Sequence, residues 1–529
     1  MQARVRFLPY VSVLLAIPAA LAGIAVSLLQ PGMIARAEEN SWRAALESIT
    51  SSEIRSHVDF LADDSLEGRE AGSRGGRAAG GYLATSFEKA KLAPCGDKSE
   101  SLGRVGYFQE FGSGLRNVLA ILEGSDPELR REVILIGAHY DHVGYGTRRT
   151  SLGPYGFVHN GADDNASGTS TLLEMIDAFQ RLPTPPKRSI LFAFWDGEEQ
   201  GLLGSKHWIA HSTLPADKKI VFAVNIDMVG RLREQKVEVF GTRSTRGLRQ
   251  LLSRKNDESQ LEMDFTWEMT PNSDHYTFYA QSIPVLMLFT GLHDDYHRPS
   301  DDADKVNTEG AQAIGRVLFS TAYEIAENGL PSGFRVASRN ENPAARQQFE
   351  KPQPLVGPRL GITWERSGES IAVRSVQPGS AAARVGMLVG DQLLKFNGRP
   401  VSSEEQLRID ILAARNPVSM TVMRSGQSVP VEVTGNLDGN PIRVGVVWRE
   451  DDAEPGTVTV LSVIPGSAAH AAGIRERDRI YAVGGQPFKD GEEFQQRINT
   501  LPGPLELQVE RRGRLSTLNV EVPPATVLD

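Results

Sequence analysis

The run Phe194 to Ser205, FWDGEEQGLLGS, sets two adjacent acids, Glu198 and Glu199, between an apolar run and a Gly-Leu turn. Paired carboxylates at the mouth of a sheet suit a division of labour in which one holds a metal ion and its neighbour moves a proton. Four other stretches carry related chemistry: His139 and Asp141 in GAHYDHVG, Asp163 and Asp164 in GADDNASG, Asp227 in NIDMVG, and Tyr296 with His297 in DDYHRPSDD. Singly, each has a plain structural reading. A His-x-Asp is commonly a surface pair, an Asp opening a helix is a cap, and an acid after a strand is a turn residue. Together they form the inventory of borderline metals such as zinc, with one carboxylate free to bridge a pair. Without a cation, so many acids on one rim would repel one another and raise their own pKa values.

The elements that must position these residues follow from apolar patterning. Val133 to Ile136, Ile190 to Phe194, Ile220 to Ile226 and Ile283 to Phe289 read as strands, and Thr171 to Leu182 and Gly310 to Glu327 as helices. Their alternation predicts an α/β domain over 45–330. His139, Glu198, Glu199 and Asp227 then lie within a few residues of the C-terminal ends of strands, the edge at which open α/β sheets bind ligands. Asp164 and His297 sit on loops able to reach that edge.

Three look-alikes are set aside. Gly72 to Gly81 has glycines at dinucleotide-fingerprint intervals, but no clear strand precedes them. His293 and His297 stand four apart as in a zincin helix, yet Asp294 replaces the needed Glu and Pro299 argues against a continuing helix. Ser273-Asp274-His275 cannot form a catalytic relay from adjacent positions and reads as a lining or supporting segment of the site.

At 529 residues the chain is too long for one core, and a net charge of −9 argues against a nucleic-acid partner. Its single cysteine, Cys95, rules out an internal disulfide and reads as a packed or idle thiol. Residues 1–37 read as a signal peptide or signal anchor. Arg4 and Arg6 precede an apolar stretch over 7–29, long enough to anchor in a membrane, and Ala35-Arg36-Ala37 offers a cleavage site. The expected location is exported: periplasmic, cell-surface or secreted. Residues 331–355, rich in Pro, Asn, Gln and Arg, read as a linker. Beyond it VQPGSAAARVGMLVGD, Val376 to Asp391, repeats as VIPGSAAHAAGIRERD, Val463 to Asp478, and each copy follows a similar turn, Arg359-Leu360-Gly361-Ile362 or Arg443-Val444-Gly445-Val446. Two copies of one module are expected, over 356–436 and 437–525.

These motifs carry two resemblances. The modules resemble PDZ domains, which implies docking of peptide C-termini or protein partners. The ordered set HxD, GADDxASG, EExGLxGS, a strand-end Asp and a late YH resembles the co-catalytic zinc aminopeptidases of peptidase family M28, the bacterial leucyl aminopeptidase type. Phe60 to Ala84 is similar to the opening segment of those enzymes. The implied architecture is an α/β zinc-exopeptidase fold, a mixed central sheet flanked by helices, followed by two small PDZ-like β-rich domains. The resemblance implies two Zn2+, with Mn2+ or Co2+ also accepted: His139, Asp164 and Asp227 hold one, and Asp164, Glu199 and His297 the other. Glu198 is the implied general base, not needed as a ligand. Asp141 is expected to accept a hydrogen bond from His139 and fix its tautomer, and Tyr296 to help stabilise the oxyanion. The expected activity is removal of N-terminal residues from peptides. The alternatives are a carboxypeptidase or other amide hydrolase of the same fold, and a catalytically silent PDZ-bearing receptor or scaffold.

Overall fold

A computed structural model describes residues 31–99, 103–353, 358–367 and 370–522. The candidate anchor at 7–29 lies outside them. Of the region read as a signal segment, the described part belongs to a helix, Pro31–Glu47, that runs on into the fold. No helix among the described residues is long and apolar enough to cross a membrane.

Nine strands form one mixed sheet: β1 (Ala93–Pro94), β2 (Phe108–Phe111), β3 (Leu115–Leu122), β4 (Glu132–His139), β5 (Ser189–Trp195), β6 (Lys219–Ile226), β7 (Lys236–Phe240), β8 (Glu262–Phe265) and β9 (Val285–Phe289). Their order is β1-β3-β5-β4-β6-β9-β7-β8, with β2 beside β3. The centre, β5-β4-β6-β9, is parallel. Continuous apolar runs dictate this, because a central parallel strand is covered on both faces. The split is visible along β4 and β5. Ile134, Ile136, Ile190, Phe192 and Phe194 face the main core beneath helices Gly168–Arg181 and Thr308–Asn328. Val133, Leu135, Leu191, Ala193 and Trp195 face a second cluster with Trp208 and Phe278. Strands β1, β2 and β3 at one side of the sheet and β7 and β8 at the other are not among the strands expected from the sequence.

The two repeats fold alike. The first contains β10 (Ile362–Ser367), β11 (Ser370–Val376), β12 (Gln392–Phe396), β13 (Arg399–Pro400), β14 (Val418–Met423) and β15 (Val431–Gly435). The second contains β16 (Val446–Asp451), β17 (Glu454–Val463), β18 (Arg479–Val483), β19 (Gln486–Pro487), β20 (Leu505–Arg511) and β21 (Arg514–Val520). Sheet orders β10-β11-β12-β14-β15 and β16-β17-β18-β20-β21 are the same. The shared motif has a physical reason. Ser380 and Ser467 cap the short helices they precede, and each packs on a left-handed glycine, Gly361 or Gly445, where any Cβ would lie 2.2 or 2.1 Å from the serine Cβ. The shared acids, Asp391 and Asp478, pair with Arg424 and Arg511.

The segment read as a linker is a tie. It carries a short turn, Val336–Asn340, and a helix, Pro343–Phe349. Arg335 bonds Glu341 and Asp452, while Arg243 of the first domain bonds Glu341 and Asp451. Asp451 ends β16 and Asp452 opens the turn to β17, so three parts of the chain meet in one charge network. The second repeat is held at two further places. Arg249 forms two hydrogen bonds to the buried Glu510, at 2.9 and 3.0 Å, and its backbone N–H donates to Glu454. At the β20–β21 turn, Arg512 accepts the Met263 N–H of β8 and Gly513 accepts from Asn256.

Candidate metal centre

Parallel packing brings β4, β5 and β6 to one edge. His139 ends β4 in register with Trp195 of β5, and Asp227 follows Ile226 of β6. Past Trp195 the chain turns through Asp196 and Gly197, so that Glu198 and Glu199 stand over the same edge. Asp141 sets this turn: its carboxylate accepts the backbone N–H of Glu198 at 3.1 Å and of Glu199 at 3.4 Å. The expected bond from His139 to the Asp141 side chain is not made. Those atoms are 3.8 Å apart, and the His139 Nδ1–H instead faces the Asp141 backbone carbonyl at 3.2 Å. Either acceptor fixes the tautomer that leaves Nε2 facing the acids, but the carbonyl does so here.

Asp163 and Asp164 divide their work. Asp163 accepts hydrogen bonds from the Gly230 N–H and the Ser167 hydroxyl and meets His293 Nε2 at 3.2 Å, which ties its loop to the end of β6. Asp301, held by Arg231, accepts the N–H groups of both residues. Asp163 is thus engaged with the end of β6 and with His293, and it is the Asp164 side chain that faces His139 and His297. Gly161, in the left-handed region, starts this loop, and any Cβ there would fall 2.2 Å from the Asp164 carbonyl oxygen.

Asp164 is the hub of the centre. Its Oδ1 is 3.3 Å from His139 Nε2, which is also 3.3 Å from Asp227 Oδ1; its Oδ2 is 3.1 Å from His297 Nε2, which is 3.0 Å from Glu199 Oε2. Two donor sets result, each with ligand atoms within 4.8 Å of one another: His139, Asp164 and Asp227, and His142, Asp164, Glu199 and His297. The donors are imidazole nitrogens and carboxylate oxygens drawn largely out of water, a set that fits zinc and its neighbours. Glu198 belongs to neither set and accepts no hydrogen bond at its carboxylate from a described residue.

The electrostatics match that division. Burial works against the charged form of His297, but Asp164 and Glu199 outweigh it and push the imidazole up to about 11. Burial likewise opposes charge on His139, and Asp227 and Glu198 raise it well above its usual value. Against the same burial, the histidines hold Asp164 well below the usual carboxylate range. Glu198 goes the other way. Burial, with Glu199, Asp274 and Asp227 adding to it, lifts its carboxyl well above that range, although His139 pulls it down. Tyr296 stacks on His297 with ring centroids 3.9 Å apart and packs on an apolar cluster of Met228, Phe240, Met287 and Phe289. That cluster lies beside both donor sets, since Met228 follows Asp227 and Tyr296 precedes His297.

Several supporting residues left no signal in the sequence reading. Arg69 is buried and donates to the backbone carbonyls of Leu61, Tyr140, Asn160 and Gly161, which joins the loops behind His139 and Asp164. Its neighbourhood, SLEGREAGSRGG, lies in the stretch similar to the opening segment of the M28 enzymes, where no motif marks Arg69 itself. His142, Arg231 and Asp301 were passed over as well. Asp274 of the Ser-Asp-His triplet is buried and accepts from Ser205, which ties it to the start of the helix Leu203–Ala210 that follows the Glu198–Glu199 turn.

Residues 117–322, which contain both donor sets, match the model of peptidase family M28, and residues 358–434 and 459–511 match PDZ domain models. The chain therefore carries an M28 peptidase domain followed by two PDZ domains. Among its relatives are leupeptin-inactivating enzyme 1 of Streptomyces exfoliatus, 26% identical over 51% of this chain and 55% of that protein, and aminopeptidase YwaD of Bacillus subtilis, 27% identical over 36% and 41%. The chain thus spans about half the length of these relatives. A solved structure of the Legionella pneumophila LapA aminopeptidase is 23% identical, with a TM-score of 0.45 over 55% of this chain and 74% of that one.

Proposed function

We propose that the chain is an aminopeptidase working with two divalent cations, zinc foremost. The observation that carries this reading is the pair of donor sets sharing Asp164, with an unliganded Glu198 beside them. His139, Asp164 and Asp227 would hold one cation, and Asp164, Glu199 and His297 the other. When bound, the cations would supply the Lewis acidity that makes water a nucleophile near neutral pH and polarises a peptide carbonyl. Glu198, whose proton affinity is raised by its surroundings, takes the proton of the attacking water and returns it to the departing amine. Tyr296, whose hydroxyl burial and the surrounding carboxylates keep protonated, donates to the carbonyl oxygen as it gains charge. Asp141 holds the turn that aims Glu198.

An N-terminal amine is the better fit to this centre than a C-terminal carboxylate. Carboxylates dominate its rim, while the arginines that touch its loops are engaged elsewhere: Arg69 with backbone carbonyls, Arg231 with Asp295 and Asp301, Arg298 with the carbonyls of Leu152 and Gly153. The cluster of Met228, Phe240, Met287 and Phe289 would receive an apolar side chain of the residue removed. The PDZ domains would dock peptides or partner proteins.

Hydrolysis of a peptide panel with free, acetylated and C-terminally extended ends tests this. Leucyl and methionyl peptides with free amines should be cleaved and their acetylated forms spared; cleavage that ignores acetylation and shortens the C-terminus would overturn the direction. Asp164→Ala should lose both cations and activity together, read by elemental analysis of the purified protein. Retention of two equivalents would remove Asp164 from its shared position.

A further inference from the structure

His142 stands in the second donor set but is not among the ligands that the family resemblance implies. Its backbone N–H donates to the Arg69 carbonyl at 3.2 Å, which fixes the loop, and its side chain is fully buried. Gly161 makes room for the ring, since a Cβ there would lie 2.5 Å from His142 Cγ and Cδ2. The ring stands edge-on to that of His297, with centroids 5.4 Å apart and planes at 85°. Its Nδ1 is 2.7 Å from Glu199 Oε1 and 3.9 Å from Asp164 Oδ2, while Nε2 is buried and makes no hydrogen bond. An imidazole taken wholly out of water, with its one bonded atom directed at two candidate ligands, needs a partner that justifies its burial.

We propose that His142 is a fourth protein donor to the cation held by Asp164, Glu199 and His297. This rests on the two-cation reading above. The two positions then differ in kind. One is enclosed by two imidazoles and two carboxylates, the arrangement of a closed site. The other has His139, Asp164 and Asp227 only, and keeps a position for water, the arrangement of a catalytic site. The enclosed cation should load first and resist chelation, and the open one should load second and exchange readily.

Titration of the chelator-stripped full-length protein with Co2+, followed by calorimetry and visible absorption, tests this without reference to activity. The wild type should take up two equivalents in two resolved events. His142→Ala should weaken the tighter event by more than 100-fold, beyond the roughly 10- to 100-fold loss typical when only a supporting partner of a ligand is removed, and should shift its visible bands. Asp227→Ala should erase the weaker event and leave the tighter one in place. His142→Asn, which keeps an N–H for Glu199, should behave like His142→Ala. Two equivalents with an unmoved tighter event in His142→Ala, or rescue by His142→Asn, would overturn the assignment alone. Fewer than two equivalents in the wild type would sink the two-cation reading and the assignment with it.

Discussion

Glu198→Gln should lower kcat by about 100- to 10,000-fold, the range general acid–base groups contribute, while the protein still takes up two equivalents of zinc. The substitution is nearly isosteric and touches neither donor set. The backbone N–H of residue 198 still reaches Asp141, so the turn that carries Glu199 is unaltered. What is lost is a carboxylate able to accept a proton from water and pass it to an amine. Single-turnover assays paired with elemental analysis read the two quantities separately. Turnover within a few-fold of the wild type would pass the base role to another group, and loss of metal would mean that Glu198 is itself a ligand.

The second large effect lies far from the chemistry. Glu510→Ala should destabilise the chain by about 3–5 kcal/mol, the cost of leaving one partner of a buried ion pair without the other. Arg249 and Glu510 are buried and doubly hydrogen-bonded, and Glu510 also accepts the Gly513 N–H. The Arg249→Met, Glu510→Leu double variant should recover only part of the loss, because the buried Arg479 and the Tyr481 hydroxyl also face Glu510 and are left behind. Urea unfolding followed by tryptophan fluorescence checks both, and an unchanged midpoint in Glu510→Ala would mean the pair is solvated. The same contact bears on truncation. A chain cut after residue 335 loses Asp451, Asp452 and Glu510 together, so its activity on small substrates should fall through lost stability.

The sequence made the central strands legible because parallel strands covered on both faces must be continuous apolar runs, and β4, β5 and β6 are. It made the two repeats legible because a capping serine packed on a left-handed glycine admits few substitutes. Strands β7 and β8 escaped because each is short and carries charge on one side, as Glu238, Glu262 and Asp264 show. At the centre, the residue types and their order brought Glu198, Glu199, Asp164, Asp227 and the two histidines into view together. The direction of Asp141 did not follow from the motif, since a His-x-Asp spacing cannot say whether a side chain or a carbonyl meets the ring. His142 shared its motif with residues that already had roles, and the hydrogen bonds of Arg69 go to backbone carbonyls, which leave no trace in side-chain identity. The clasp between domains was invisible for a simpler reason: Arg249 and Glu510 are 261 residues apart.

The turn between β20 and β21 has a consequence for solution behaviour. Strand β8 is the last of the nine-stranded sheet, and a sheet's last strand exposes N–H and carbonyl groups that can recruit another chain into a growing fibre. Here the Met263 N–H is already given to Arg512, and Gln260 accepts from Arg514 alongside it. The second PDZ domain therefore occupies part of the edge that β8 would otherwise present to another chain.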